Sequence, residues 1–196
     1  MIADNNFIEN TINEYFNTIK TVLSQIDYQE IIEVVSQLKN VHKNEGTIYI
    51  FGNGGSASTA SHFQNDFNRG LAGLTKKNFK VNCLSDNIAT ITAIANDFSY
   101  EEIFYKQLEN RLTDKDIVIA ISGSGNSENV LKATKYAKEQ GNKIIAFTGF
   151  DGRKLGRLAD FNLHVPIDNM QITEDVHLIF NHLLMTIMSS ILGKKE

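Results

Sequence analysis

Ile48-Tyr-Ile-Phe-Gly-Asn-Gly-Gly-Ser-Ala-Ser-Thr-Ala-Ser-His62 is an apolar, β-favouring run that stops at a cluster of glycines and continues in small residues. Gly52, Gly54 and Gly55 allow a sharp turn and a close approach of the backbone to a ligand, because glycine tolerates positive φ and has no Cβ. The small residues from Ser56 onward indicate a helix, whose unpaired N–H groups and positive dipole end point at that ligand. The stretch therefore predicts a strand, a phosphate-binding turn and a helix.

Length and charge restrict the possible classes of protein. The 196 residues predict one domain over 1–196, with N-terminal helices at 1–45 and an α/β sandwich with a long C-terminal helix at 46–196. The net charge of −4 disfavours a nucleic-acid partner. The apolar stretches are shorter than a bilayer crossing requires, and the N-terminus lacks the pattern of a secretion signal. The single cysteine, Cys83, excludes an internal disulfide and indicates a buried thiol in a cytoplasmic protein.

Apolar strands alternate with helical patterns after residue 46. The predicted strands are 47–51, 79–84, 116–122, 143–148 and 161–165. The predicted helices are two within 5–44, then 56–67, 87–95, 100–111, 127–139, 153–158 and 172–192. Strands that are apolar throughout are typical of a parallel sheet covered on both faces. We therefore predict an α/β fold, a flavodoxin-like doubly wound sandwich with a five-stranded parallel sheet, whose ligands bind at the carboxyl ends of the strands. The opening helical pair needs a surface to pack on, and a partner subunit is one candidate.

A second serine- and glycine-rich loop, Ser122-Gly-Ser-Gly-Asn-Ser127, also lies between a predicted strand and a predicted helix. Its hydroxyl and amide groups can surround a phosphate. A serine before a helix is also ordinary capping chemistry, so one such loop is weak support. Two loops of this type on separate strands indicate a phosphorylated small molecule held without arginine.

The first loop also matches the dinucleotide fingerprint through Gly52, Gly54 and Ala57. A nucleotide-binding oxidoreductase is the corresponding alternative. That fingerprint expects an acidic residue about twenty positions further on, and Asp86 comes too late. The missing acid and the second serine loop both disfavour this alternative.

Two helices carry polar residues at helical spacing. His62 and Asp66 are four residues apart and share one face, where they could bind a metal, share a proton or form an ordinary exposed pair. On the last helix Glu174, His177 and Asn181 share one side, with Asp175 and His182 beside them and Thr173 as the expected N-cap. This polar side indicates a site or a subunit contact, and an acidic first turn with buried histidines is the simpler alternative.

Gly52-Asn-Gly-Gly-Ser-Ala, the Ser122–Ser127 loop and the His182 helix resemble the sugar isomerase (SIS) domain, and are most similar to phosphoheptose isomerases. The resemblance implies a homotetramer with sites between subunits, zinc as a cofactor, and a sugar phosphate as substrate. The implied substrate-binding residues are Asn53, Gly54, Gly55, Ser56, Asp97, Ser122, Gly123, Ser124, Ser127 and Glu174. The implied zinc ligands are His62, Asp66, Glu174 and His182. The implied catalytic residues are Asp66, Glu174 and His182.

Four positions depart from that family pattern, and one of them is Gln171, where the family often has an aspartate. Asp66 replaces a glutamate and is one methylene shorter, and misplacement of about 1 Å can cost about a hundredfold in rate. Glu174 replaces a glutamine and adds a negative charge, and Gly123 replaces a threonine. The ligand set nevertheless keeps the nitrogen and oxygen donors that zinc binds.

The resulting hypothesis is an aldose–ketose isomerase that converts D-sedoheptulose 7-phosphate to a heptose 7-phosphate through an enediol. Asp66 or Glu174 would remove the proton beside the carbonyl, and His182 would protonate the carbonyl oxygen. The alternative is a sugar-phosphate-binding regulatory or adaptor protein without catalysis. The enzyme is favoured because a pure binding protein has no need of two histidines and two carboxylates at these positions.

Overall fold

Strands and helices alternate from residue 48 to residue 164 in the computed structural model, which describes residues 4–193 of the chain. The strands are β1 (Ile48–Gly52), β2 (Val81–Cys83), β3 (Ile117–Ser122), β4 (Lys143–Thr148) and β5 (Phe161–His164). The α-helices are α1 (Asn5–Leu23), α2 (Tyr28–Lys43), α3 (Gly55–Asn65), α4 (Ile88–Asp97), α5 (Tyr105–Leu108), α6 (Glu128–Glu139), α7 (Arg153–Leu158) and α8 (Met170–Leu192). A π-helical turn at Asp66–Gly70 and a 3₁₀ turn at Tyr100–Glu102 complete the elements. Residues 1–3 and 194–196 of the predicted domain lie outside the described part.

The five strands form one parallel sheet in the order β2-β1-β3-β4-β5. Every residue of β1 and β3 is buried, as expected for strands covered on both faces. The predicted fold class is thereby confirmed. The strand order reverses beside β1, and Gly52 at the end of β1 pairs with Ile121 near the end of β3. This register brings the two serine-rich loops together at the switch point of the sheet, where such folds bind ligands.

Alternating residues of β1, β3 and β4 contribute to two hydrophobic layers. Ile48 and Ile50 of β1 face the layer formed with α2, α3 and α8, whereas Tyr49 and Phe51 face the layer formed with α5, α6 and α7. Cys83 lies in the first layer as predicted, and burial raises the pKa of its thiol to about 12. It therefore remains a protonated, unreactive thiol at neutral pH.

Two predicted helices differ from the observed ones. The predicted helix 100–111 is interrupted after Tyr100–Glu102, because the buried side chains of Ile103 and Phe104 pack into the second layer between the two short segments. The last helix begins earlier than predicted, and its N-cap is Asn169, whose side chain accepts a hydrogen bond from the Ile172 N–H. Thr173 is fully buried within the first turn, so the prediction that it caps this helix was wrong.

Helix α8 spans 23 residues and contains an 18-residue window with a mean hydropathy of 1.3, so it is long and apolar enough by composition to cross a membrane. The expectation that every apolar stretch is too short was therefore too strict. Packing in the first layer accounts for part of this hydropathy, since Ile172, Val176, Phe180 and Leu184 recur every four residues and are buried there. In all, 33% of the window is buried.

His177 is a core residue of α8. Its side chain is fully buried, and its Nε2 lies 3.2 Å from the backbone oxygen of Thr148. The oxygen accepts, so Nε2 carries the proton, and Nδ1 has no hydrogen-bond partner within the described residues. Burial lowers the pKa of His177 to about 4, which keeps the ring neutral at physiological pH.

We predict that His177 makes the stability of the fold depend on pH. Between pH 6.5 and 4 the unfolded chain binds a proton at this residue and the folded chain does not, so its contribution is complete above pH 6.5 and is lost as the pH falls towards 4. The shift corresponds to about 3 kcal/mol in the free energy of unfolding. Urea unfolding at several pH values between 7 and 4 measures the slope of the free energy of unfolding against pH. This slope should be shallower in His177→Gln. Equal slopes in the two proteins would contradict the assignment.

Candidate functional site

A cavity of about 220 Å³ lies between the ends of β1 and β3. Its lining residues are Asn53, Gly54, Gly55, Ser56, Ile121, Ser122, Gly123, Ser124, Ser127, Met170 and Glu174. Nine members of the sequence-derived substrate set are therefore brought together, and Asp97 is not among them. Ile121 and Met170 are additional lining residues that the motifs did not indicate.

Hydroxyl groups from the second loop converge in this cavity. The Ser122 Oγ lies 3.3 Å from the Ser127 Oγ and 3.5 Å from the Ser124 Oγ. Across from them Gly54 has a φ of 55° at the start of α3, a conformation that glycine adopts readily and that turns the chain into the helix. The cavity lining contains no lysine or arginine. Neutral hydroxyls and helix N-terminal amides of this kind can bind a phosphate group.

The first loop is held by a polar clamp that the sequence did not reveal. Asn53 and the buried Asn129 of α6 exchange two side-chain hydrogen bonds of 2.9 and 3.0 Å. The Tyr100 hydroxyl donates to the Asn53 Oδ1 at 3.0 Å. The amide of Asn53 is thus fixed by both neighbours. The feature of the sequence that could have indicated this clamp is Asn129, an asparagine on the buried face of α6.

Two glycines make room for side chains of α8. A Cβ at Gly55 would overlap the carboxylate of Glu174, and a Cβ at Gly123 would lie 2.6 Å from the Met170 Sδ. Met170 therefore occupies space next to the position where the family pattern has a threonine side chain. Gly123 is the residue that allows α8 to begin so close to the second loop.

Glu174 lines the cavity at the ends of β1 and β3. Its carboxylate lies over Gly55 at the first turn of α3, where the helix dipole favours a negative charge. Among the described residues it is separate from the cluster of His62, Asp66 and His182. The structure therefore groups three of the four sequence-derived metal ligands and leaves Glu174 beside the serine loops.

His62, Asp66 and His182 form a compact polar cluster where α3 packs on α8. The two Nε2 atoms of His62 and His182 are 3.1 Å apart. The Asp66 Oδ2 lies 3.4 Å from the His62 Nε2 and 4.0 Å from the His182 Nε2. Asp66 is largely buried, with 14% of its side chain exposed, whereas the histidine side chains are 43% and 53% exposed.

The donor atoms of this cluster fit a zinc ion. Two imidazole nitrogens and one carboxylate oxygen converge within 4.8 Å of one another. Catalytic zinc sites characteristically have three such protein ligands and keep a further position open. The half-exposed histidines leave the solvent side of the cluster accessible to a substrate.

Asp97 lies apart from both groups. It is exposed at the end of α4, a helix with no buried residue, and its carboxylate accepts a hydrogen bond from the neighbouring Asn96 side chain at 3.0 Å. Within a single chain Asp97 does not contact the cavity.

Known proteins resemble the chain over nearly its whole length. The SIS domain family matches residues 14–149. The phosphoheptose isomerase of Helicobacter pylori (strain P12) is 39% identical over 180 residues, which cover 90% of this chain and 93% of the relative. The solved structure of the phosphoheptose isomerase GmhA from Neisseria gonorrhoeae has a TM-score of 0.85 at 26% identity and covers 94% of this chain and 98% of that one. The structure of a phosphoheptose isomerase from Francisella tularensis has a TM-score of 0.84 at 29% identity, with 92% and 97% covered.

Proposed function

Because the chain belongs to the SIS domain family and, within it, to the phosphoheptose isomerases, we propose that it interconverts D-sedoheptulose 7-phosphate and a heptose 7-phosphate. The observation that carries this proposal is that the α3–α8 helix pair connects the serine-lined cavity to the His62–Asp66–His182 cluster. A cytoplasmic location is proposed with it, since the one cysteine is a buried free thiol.

The cavity would anchor the phosphate group. Ser56, Ser122, Ser124 and Ser127 supply hydroxyls, and the first turn of α3 supplies amide N–H groups. An incoming phosphate would repel the carboxylate of Glu174, which occupies the same cavity, so Glu174 would turn away when the substrate binds. Asp97 stays in the proposed substrate set through the family resemblance, although it does not line the cavity of a single chain.

The distance from the cavity to the histidine cluster fits a substrate as long as a heptose phosphate. His62 lies seven residues after Gly55, which corresponds to about 10 Å along an α-helix. An extended chain gains about 1.2 Å per bond, so the eight bonds from phosphorus to C1 of a heptose 7-phosphate also span about 10 Å. A phosphate bound at Gly55 would therefore place the C1–C2 end beside His62 and Asp66.

Proton transfer at C1 and C2 is proposed for the cluster. Asp66 is the preferred base, because it lies at the far end of the helix from the phosphate cavity. Glu174 is the alternative, since a carboxylate displaced from the cavity could turn towards the reacting carbons. His182 is the proposed acid towards the carbonyl oxygen.

His62, Asp66 and His182 would hold a zinc ion, with Glu174 as a further oxygen ligand once it has left the cavity. A bound zinc ion would supply Lewis-acid polarisation of the carbonyl oxygen. The Nε2 of His182 cannot carry a proton and bind a metal at the same time, so its two proposed roles are alternatives. The metal content of the active protein decides between them.

We predict that wild-type protein isomerises sedoheptulose 7-phosphate, followed by NMR, and retains metal measured by mass spectrometry. Asp66→Asn and His182→Ala should lower kcat by at least about a hundredfold, the usual contribution of a positioned acid or base. His42→Ala, a histidine outside the cluster, is the control. A wild-type protein that holds no metal and converts no five-, six- or seven-carbon ketose phosphate would refute the enzyme and favour the regulatory alternative.

Glu174→Gln separates the two candidate bases in the same assay. With Asp66 as the base, this variant should keep its kcat and show a lower KM, because a negative charge beside the phosphate is gone. A loss of about a hundredfold or more in kcat would instead assign the base to Glu174.

A homotetramer is proposed from the family resemblance and from α1. This helix exposes an apolar stripe of Phe7, Ile8, Ile12 and Phe16, which line a groove of about 320 Å³. Contiguous apolar patches of this kind mark interaction sites. Tyr15 lines the same groove, and its hydroxyl donates to the Asp175 Oδ2 of α8 at 2.5 Å, which anchors α1 on α8.

We predict that charge on this stripe dissociates the assembly. Sedimentation equilibrium should give the mass of a tetramer for wild type and a smaller mass for Phe16→Asp, because burying an unpaired carboxylate in an apolar contact is unfavourable. Asn10→Asp adds the same charge to the exposed opposite side of α1 and should leave the mass unchanged. A monomeric wild type, or an unchanged mass for Phe16→Asp, would contradict this arrangement.

A further inference from the structure

A buried amide of α8 contacts the carboxylate that departs from the family pattern. Asn181 is fully buried, and its Nδ2 donates a hydrogen bond to the Asp66 Oδ2 at 3.0 Å. The two residues are 115 positions apart in the chain and meet only because α3 packs on α8.

An asparagine at this position is unfavourable for the fold. Its neighbour Phe180 and the next residue on the same face, Leu184, belong to the first hydrophobic layer. The Asn181 Oδ1 has no hydrogen-bond partner within the described residues. Burying an amide that is only half satisfied is unfavourable relative to burying an apolar residue. Within the described part of the chain its side chain makes one hydrogen bond, the one to Asp66, so any gain from the amide comes through that carboxylate.

A change of helix type begins at Asp66. The α-helix α3 ends at Asn65, and a π-helical turn begins at Asp66, with the Leu71 N–H donating to the Asp66 oxygen at 3.1 Å. Such turns occur often at functional sites. Asp66 itself keeps α-helical dihedral angles, with φ −62° and ψ −43°, so the amide of Asn181, rather than a distorted backbone, sets where its carboxylate lies.

We propose that Asn181 is a positioning residue that holds the short Asp66 carboxylate towards His62 and His182. The Oδ2 that accepts from Asn181 is the same atom that lies 3.4 Å and 4.0 Å from the two histidine Nε2 atoms. Aspartate lacks one methylene of the family's glutamate, so its carboxylate reaches less far from α3. The hydrogen bond from α8 removes the freedom of that carboxylate to rotate away. This inference rests on the proposed function of the cluster.

The test uses Asn181→Leu, which keeps the branched shape and the number of side-chain heavy atoms and removes the amide. Metal-free protein is titrated with Co²⁺, whose visible absorption reports the ligands directly, and kcat and KM are measured separately. Loss of a partner that orients a metal ligand typically costs about 10–100-fold in metal affinity or activity. We expect a loss of that size in Co²⁺ affinity and in kcat, with KM unchanged and thermal stability equal or higher.

Asp66→Glu provides the rescue. A glutamate reaches the histidines without help, so adding Asn181→Leu to Asp66→Glu should cause little further loss of Co²⁺ affinity. Asn181→Ala, which cannot overpack the core, replaces the leucine variant if that one does not fold. Thr134→Val, a buried polar-to-apolar change in α6 on the opposite layer, is the matched control and should leave Co²⁺ binding unchanged.

Three outcomes would overturn the role of Asn181. The first is a Co²⁺ affinity, spectrum and kcat equal to wild type in Asn181→Leu, while wild type remains an active isomerase. The second is an equal loss in the Asp66 and Asp66→Glu backgrounds, which would show a general structural effect. The third is a wild type that binds no Co²⁺ and converts no sugar phosphate, which refutes the proposed function together with this role.

Discussion

The packing of α3 against α8 is the contact on which the site depends. Both helices begin at the same cavity, α3 at Gly55 and α8 at Met170. Seven residues into α3 lies His62, and His182 comes eight residues after Glu174 on α8. The helices therefore run side by side from the serine loops to the histidine cluster. One helix pair fixes both ends of the site at once, which suits a substrate with a phosphate at one end and a carbonyl at the other.

The sheet determines where that pair begins. Parallel strands β1 and β3 are neighbours in register, so their following loops lie side by side at the reversal of strand order. The hydroxyls of one loop then face the helix N-terminus that follows the other. A neutral set of donors results, and an acidic protein can bind an anion there without a basic surface. Helix α8 passes close over both loops. Positions 55 and 123 are therefore glycines, because a Cβ there would overlap Glu174 or Met170.

Local patterns predicted the fold and the cavity well, because both follow from short-range features. Apolar runs predicted all five strands, and the two glycine–serine loops predicted eight residues of the cavity lining. Contacts between distant residues escaped this reasoning. The clamp of Asn53 by Asn129 and the break near Ile103 are decided by which side chains meet after folding. The position of Glu174 over Gly55 likewise depends on the closeness of two helices, which no spacing rule contains.

Isomerisation of sedoheptulose 7-phosphate in D₂O tests the central claim most directly. Asp66 or Glu174 takes the proton from C1 as the enediol forms, and this proton exchanges with solvent on the carboxyl group, because both carboxylates are only partly buried. We expect a heptose product that carries deuterium on C2, the carbon next to its carbonyl, detected by NMR. A heptose product that forms in D₂O as fast as in H₂O and keeps every carbon-bound hydrogen would contradict proton transfer through an enediol at this cluster.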